Sequence, residues 1–409
     1  MKYRTALLLI LGYLFALDST EPFHAAQGRE GGTNLIAQLG TASLVDQNHQ
    51  ALLDAFDLAP DGTLLAVLYE AWKKPPAPNE IDLRLATWDV RSHKLALETR
   101  IALLAISPDS LSATAYLGDT RKLTYTTDQS HLIVCALGKI WYHALRPEAE
   151  LVPVEPPDPK LREPVAIQAF SNATVALTYG TAQADLYYTA LFDASSGANL
   201  RGFTSSAIPC SFSPDGKLAV ALAPGEANPG GVAGLQVIDM GTGAKLRSVS
   251  VGFGFKKRYQ NEGGAVLARF LDDTRIVVAP DNMIDHTGNH SGYGLEIIDI
   301  SSGQVVGELK PRRFVPSGEL VISADRNRFV ASSNYLTPLE YRSEVPLFPG
   351  HPKQEIFVFA KDSPKPETVI EGLSPSLPRP TNEAIRLSSD GSVIAVAMSD
   401  SIKVFEIPK

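Results

Sequence analysis

Cysteine is scarce in this chain. Cys135 and Cys210 are the only two in 409 residues, too few for a disulfide framework, so stability must come from an apolar core. A basic excess is also missing. Lys and Arg number 37 against 45 Asp and Glu, and the net charge of −8 argues against a nucleic-acid binder, which needs a basic stripe to neutralise phosphates. No Gly-x-Ser-x-Gly elbow occurs, and no strand–helix alternation that would house one. Gly241 and Gly243, like Gly252 and Gly254, fall among strand turns and read as turn glycines, not as a phosphate cradle. No cofactor is implied.

What is present first is an amino-terminal export pattern. Lys2 and Arg4 precede an uncharged apolar run at 5–17. Thirteen helical residues reach only about 20 Å, short of the ~30 Å hydrocarbon core, so a spanning helix is not expected there. Residues 1–26 therefore read as a signal peptide, with cleavage near Ala25 and Ala26 or, as the rival, near Ala16. The expected location is periplasmic or extracellular. Past that run no apolar stretch of ~18 residues recurs, so no transmembrane span is expected in the mature chain.

Repetition decides the rest. The clearest unit begins with Cys-Ser-Phe-Ser-Pro-Asp-Gly-Lys-Leu-Ala-Val-Ala-Leu at 210–222 and continues with Gly-Leu-Gln-Val-Ile-Asp-Met-Gly-Thr-Gly at 234–243. Two apolar runs flank a Pro-Asp-Gly turn, and a third ends at Asp239 before a Gly-Thr-Gly turn. Pro presets φ for the turn, and Asp-Gly tolerates the positive φ that tight hairpins need. Short runs rich in Val, Ile and Leu suit strands buried on both faces. With decay, the same turn recurs near Asp61, Asp128, Asn172, Asp273, Asp325 and Asp390, making seven with Asp215. Trp88-Asp89, Asp239 and Asp299 close third strands, a repeated structural role.

This unit resembles the tryptophan-aspartate and YVTN-type β-propeller repeats across nearly the whole mature chain. The resemblance implies an all-β fold: one seven-bladed propeller of four-stranded antiparallel blades over residues 33–409. The last repeat lacks a fourth strand, and 34–44, upstream of the first repeat, has strand-like composition. That segment is expected to close the last blade.

Calling the strands of a blade first to fourth from the channel outward, first–second and third–fourth turns share one face. Second–third and fourth–first connections share the other. Long insertions are expected between second and third strands at 69–81, 223–234, 280–294 and 334–354, all on one rim. That rim carries Trp72, Lys73, Lys74, Tyr335, Tyr341 and Arg342, together with Lys256, Lys257, Arg258, Tyr259, Arg312, Arg313 and Arg379. Arg forks pair with carboxylate or phosphate, and aromatic rings stack on flat or sugar-like ligands. Solvated loops balancing acidic neighbours are the simpler reading of the same residues. Asp281, Asp285, His286 and His290 crowd one insertion as candidate ligands for a divalent ion, but their spacing matches neither an EF-hand nor a His-Glu-x-x-His helix. Cys135 and Cys210 are expected to be buried thiols. The function expected first is non-enzymatic: an exported scaffold binding a protein, peptide or glycan, an anionic one included. The alternative is a lactonase- or hydrolase-like enzyme acting on a small ligand at the channel mouth.

Overall fold

The computed structural model describes residues 29–30, 33–47, 49–73, 80–105, 121–146, 149–162, 164–171, 174–183, 186–223, 234–249, 266–280, 294–309, 316–335, 353–373, 384–398 and 401–408. The expected leader at 1–26 lies outside them. Local turn chemistry sets the repeat. In the first hairpins, Oδ1 of Asp61, Asp128, Asp215 and Asp390 accepts the backbone N–H two residues on, closing the turn without help from the core. Where the third strand turns into the fourth, Asp193 Oδ1 again accepts the N–H two residues on, and Asp89, Asp239 and Asp299 accept the N–H three residues on. In blade 5 the capping carboxylate is Asp272, one residue before the expected Asp273. The expected turn at Asn172 lies outside the described residues.

Between these turns the strands pair antiparallel into seven sheets. Blade 1 spans 49–105, blade 2 122–154, blade 3 164–205, blade 4 208–249, blade 5 266–309 and blade 6 316–373. Blade 7 takes three strands from 385–406 and its fourth, Thr33–Gly40, from the other end of the chain. Asn34 faces Glu406 and Gly40 faces Ser401, so the expected closure is observed. The strand stops at Gly40, and Thr41–Leu44 forms a 3-10 turn. Arg29–Glu30 adds a two-residue edge outside it.

Side chains alternate across a strand, so each blade offers one apolar face to each neighbour. In the second strand of blade 1, Leu65, Val67 and Tyr69 pack toward blade 7, whereas Ala66 and Leu68 pack toward blade 2. Among the described residues the core divides into seven clusters, one for each seam between adjacent blades. Second strands are therefore buried on both faces, while fourth strands such as Asn199–Ser205 and Lys245–Val249 are mostly exposed. The first strand of each blade touches the first strand of the next, and blade 7 touches blade 1. First strands thus line the central channel.

Antiparallel pairing puts all the short Asp-capped turns on one rim. Turns of neighbouring blades also bond to each other there: Asp325 N–H donates to Ser389 O at 2.9 Å, and Asp215 N–H to Asp273 Oδ1 at 2.8 Å. The strand ends joined by 224–233, 281–293 and 336–352 lie on the opposite rim, as expected. The expected insertion at 69–81 is largely strand. Leu64–Lys73 and Glu80–Asp89 leave only 74–79 between them, because the long first strand His49–Leu58 pairs as far as Lys73. Long connections are also not confined to second–third positions. Residues 106–121, 250–265 and 374–384 join fourth strands to first strands at that same rim.

Candidate functional site

The loop-bearing rim is described at its base. Trp72, next to last in its strand, is half-buried, and its Nε1–H donates to Gln50 Oε1 at 3.1 Å, which fixes the indole against the inner strand. Lys73 pairs with His49 and Tyr335 with Lys353, each at the end of a strand opening onto the rim. Lys74, Lys256, Lys257, Arg258, Tyr259, Arg312, Arg313, Tyr341, Arg342 and Arg379 lie outside the described residues. So do Asp281, Asp285, His286 and His290. Neither Cys135 nor Cys210 is in a disulfide; Cys135 is buried, and burial raises the Cys210 thiol above its usual value.

The channel wall holds charges that were not singled out in the sequence. In six blades the first hairpin is closed by a backbone N–H, that of Ala59, Thr126, Ser213, Leu271, Ser323 or Ser388; the blade 3 turn lies outside the described residues. Two residues earlier stand Asp57, Thr124, Ser211, Arg269, Val321 and Arg386, equivalent positions in blades 1, 2, 4, 5, 6 and 7. These side chains reach across seams. Asp57 Oδ2 accepts the Tyr125 N–H of blade 2 at 2.7 Å, and Ser211 Oγ accepts the Phe270 N–H of blade 5 at 3.0 Å. Arg386 pairs with Asp57 at 3.0 Å and places its guanidinium 5.4 Å from the Phe56 ring centroid, within cation–π range.

Arg269 occupies the same station as Arg386, but among the described residues no carboxylate pairs with it. Its Nη1 donates to Cys210 O at 2.9 Å and Ala268 O at 3.0 Å. Arg326 adds a second guanidinium from the blade 6 turn. Its Nη1 donates to Phe270 O at 2.6 Å in blade 5, and its Nη2 reaches Phe212 O at 3.4 Å in blade 4. A blade 6 residue meets blade 4 only across the channel. Burial, with Arg269 close by, brings the Arg326 pKa down to about 10.

A third charged group is wholly interior. Arg121, just before the first strand of blade 2, forms salt bridges with Asp54 and Glu70 of blade 1, all three no more than 2 % exposed. Burial opposes the guanidinium charge, but the two carboxylates outweigh it and hold the Arg121 pKa above its usual value.

No family model matches the chain, and no curated protein matches it in sequence. Solved structures do. Hydrazine synthase of Kuenenia stuttgartiensis superposes at a TM-score of 0.51 and 14% identity, over 87% of this chain and 95% of that one. The Dos1 propeller follows at 0.46 and 12% identity, over 87% and 78%. Dihydro-heme d1 dehydrogenase NirN, solved with DHE, gives 0.45 and 13% identity, over 96% and 79%. The likeness is one of fold. This chain is a seven-bladed β-propeller, and propellers host binding and catalysis alike.

Proposed function

We propose that this propeller is an exported scaffold that binds a protein, peptide or glycan through the rim where its long connections gather. The difference between the two rims carries the reading. One rim is spent on short Asp-capped turns bonded to each other, which leaves little backbone free to adapt to a partner. The other receives 224–233, 250–265, 281–293, 336–352 and 374–384, with Trp72 fixed at its base as a rigid aromatic anchor. Lys256 and Lys257 in 250–265, with Arg312 and Arg313 in the shorter fourth-to-first connection 310–315, would favour an anionic partner in an otherwise acidic protein. The leader pattern at 1–26 supports export, with the partner in the cell envelope or outside it.

Affinity capture from envelope extract tests this, using the mature chain and a variant with Lys256, Lys257, Arg312 and Arg313 all changed to Ser. A specific partner retained by the first and lost by the second is the expected result. Equal retention by both counts against the rim.

A further inference from the structure

Arg269 and Arg326 are two guanidinium groups on one stretch of channel wall, and among the described residues neither forms a salt bridge. Their anchors locate them. Arg269 bonds the carbonyls of Cys210 and Ala268, and Arg326 those of Phe212 and Phe270. Each second pair lies two residues further along the same two first strands, Ile208–Phe212 and Val266–Phe270, so the two sets are one rung, about 7 Å, apart. The guanidinium groups thus form a short column at the end of the channel that carries the tight turns.

The surroundings do not neutralise this column. Flanking Arg269 at the equivalent stations are Ser211 and Val321, where Arg386 has Asp57. Asp273 attracts Arg326 from a distance, but its Oδ1 accepts the Asp215 N–H and it makes no salt bridge with either arginine. Among the described residues, Nε and Nη2 of Arg269 and Nε of Arg326 have no acceptor, so donors of both groups remain for a ligand. Two partly buried like charges disfavour each other unless an anion joins them.

The turn holding Arg326 carries a backbone cost. Its φ is +60°, the left-handed region, where the corresponding turns of blades 1, 4 and 7 carry Gly62, Gly216 and Gly391, and that of blade 2 carries Gln129 at +59°. A side chain there is strained, so the sequence forgoes the easier residue to put a guanidinium in the channel.

We propose that Arg269 and Arg326 form a binding site for a small oxyanion, a carboxylate or phosphate group, at the tight-turn end of the channel. Each arginine keeps its carbonyl bonds and turns its remaining N–H groups to the anion, the planar fork matching two oxygens at once. This site is independent of the loop-bearing rim. A chain-end carboxylate and free phosphate share the required chemistry.

The test is calorimetric titration of the mature chain in low-chloride buffer with inorganic phosphate. Parallel titrations use a short peptide with a free carboxyl terminus and the same peptide amidated. Arg326→Gly is the informative variant, because glycine already occupies this turn position in three blades and should leave the melting temperature at or above that of the parent. Expected is one site for phosphate or the acid peptide, weakened at least tenfold in Arg326→Gly and in Arg269→Gln. Preference for the acid peptide over phosphate identifies a chain end as the occupant, and the reverse identifies a free anion. Measurable and equal binding of the acid and amide peptides, affinity unchanged in Arg326→Gly, or no anion binding by the parent overturns the proposal.

Discussion

Asp57 and Arg386 tie the first blade to the last, carboxylate Oδ1 to guanidinium Nε at 3.0 Å. The other oxygen of Asp57 holds the Tyr125 N–H at 2.7 Å, so one side chain joins three blades. Asp57→Ala should therefore cost about 3 kcal/mol, since it takes the Asp57 carboxylate from a largely buried guanidinium and removes the acceptor of an interior N–H. Asp57→Asn should cost less, because an amide oxygen can still accept from Tyr125. Urea unfolding midpoints of the two variants check the order.

The interior triad predicts a strongly non-additive pair. Arg121→Leu removes the guanidinium shared by two carboxylates with almost no exposure, for a loss of about 3–5 kcal/mol at neutral pH. In a background already carrying Asp54→Asn and Glu70→Gln, the same change should cost far less. A cycle of these variants measures the coupling. Equal losses in both backgrounds would show that the triad does not act as a unit.

Two glycines with the same φ of +73° separate backbone strain from crowding. A methyl group at Gly303 meets nothing within 4 Å, so Gly303→Ala should cost only the left-handed conformation, about 1 kcal/mol. At Gly62 it would lie 2.8 Å from Val393 Cγ2 of blade 7. Gly62→Ala should thus lose a further ~1–2 kcal/mol from overpacking a seam. Thermal melts of the two variants compare them directly.

Acid should weaken the turns. The Ser301 hydroxyl, followed by the Ser302 N–H, holds the Asp299 carboxyl down at about 2, and Asp89, Asp193 and Asp239 are lowered in the same way. An unfolded Asp titrates near ~3.9, so each depressed group favours the native state fully above that pH. The contribution disappears as pH falls toward 2. Between pH 6 and pH 2.5 the parent should lose more stability than Asp299→Asn, which has no such proton to take up.

Blade 7 depends on a strand from the far end of the sequence. Ala37 and Leu39 are buried in the seam with blade 1, and the strand pairs along Ser401–Glu406. Deleting 34–44 should lower the melting temperature by about 10 °C or more, by loss of a ladder and exposure of that seam. An unchanged melt would mean that the ring does not need its closing strand.

The turns were legible because their chemistry is local. An Asp at the corner between two apolar runs suffices to mark Asp61, Asp128, Asp215 and Asp390. The shared rim followed from strand direction alone. Strand extent was less legible: 69–81 contains Glu70, Lys73 and Lys74, which read as loop, yet Glu70 is interior because Arg121, fifty-one residues away, neutralises it. The channel arginines were missed for a similar reason. Arg269 and Arg386 are single charges in apolar first strands, and their contrast arises only when Asp57 comes round beside one of them. Arg326 did leave a local mark, a bulky residue in the place that Gly holds in the clearest repeats, and that mark was readable.

Because Thr33–Gly40 waits for Ser401–Glu406, the ring has an enforced assembly order. During synthesis Thr33–Gly40 emerges more than 350 residues ahead of the strand it pairs with in blade 7, a wait of tens of seconds at ~5–20 residues per second. For that interval its hydrogen-bonding edge is open to any other nascent chain. A holding chaperone, or a slow final stretch of translation, would change the yield of this protein more than its eventual stability.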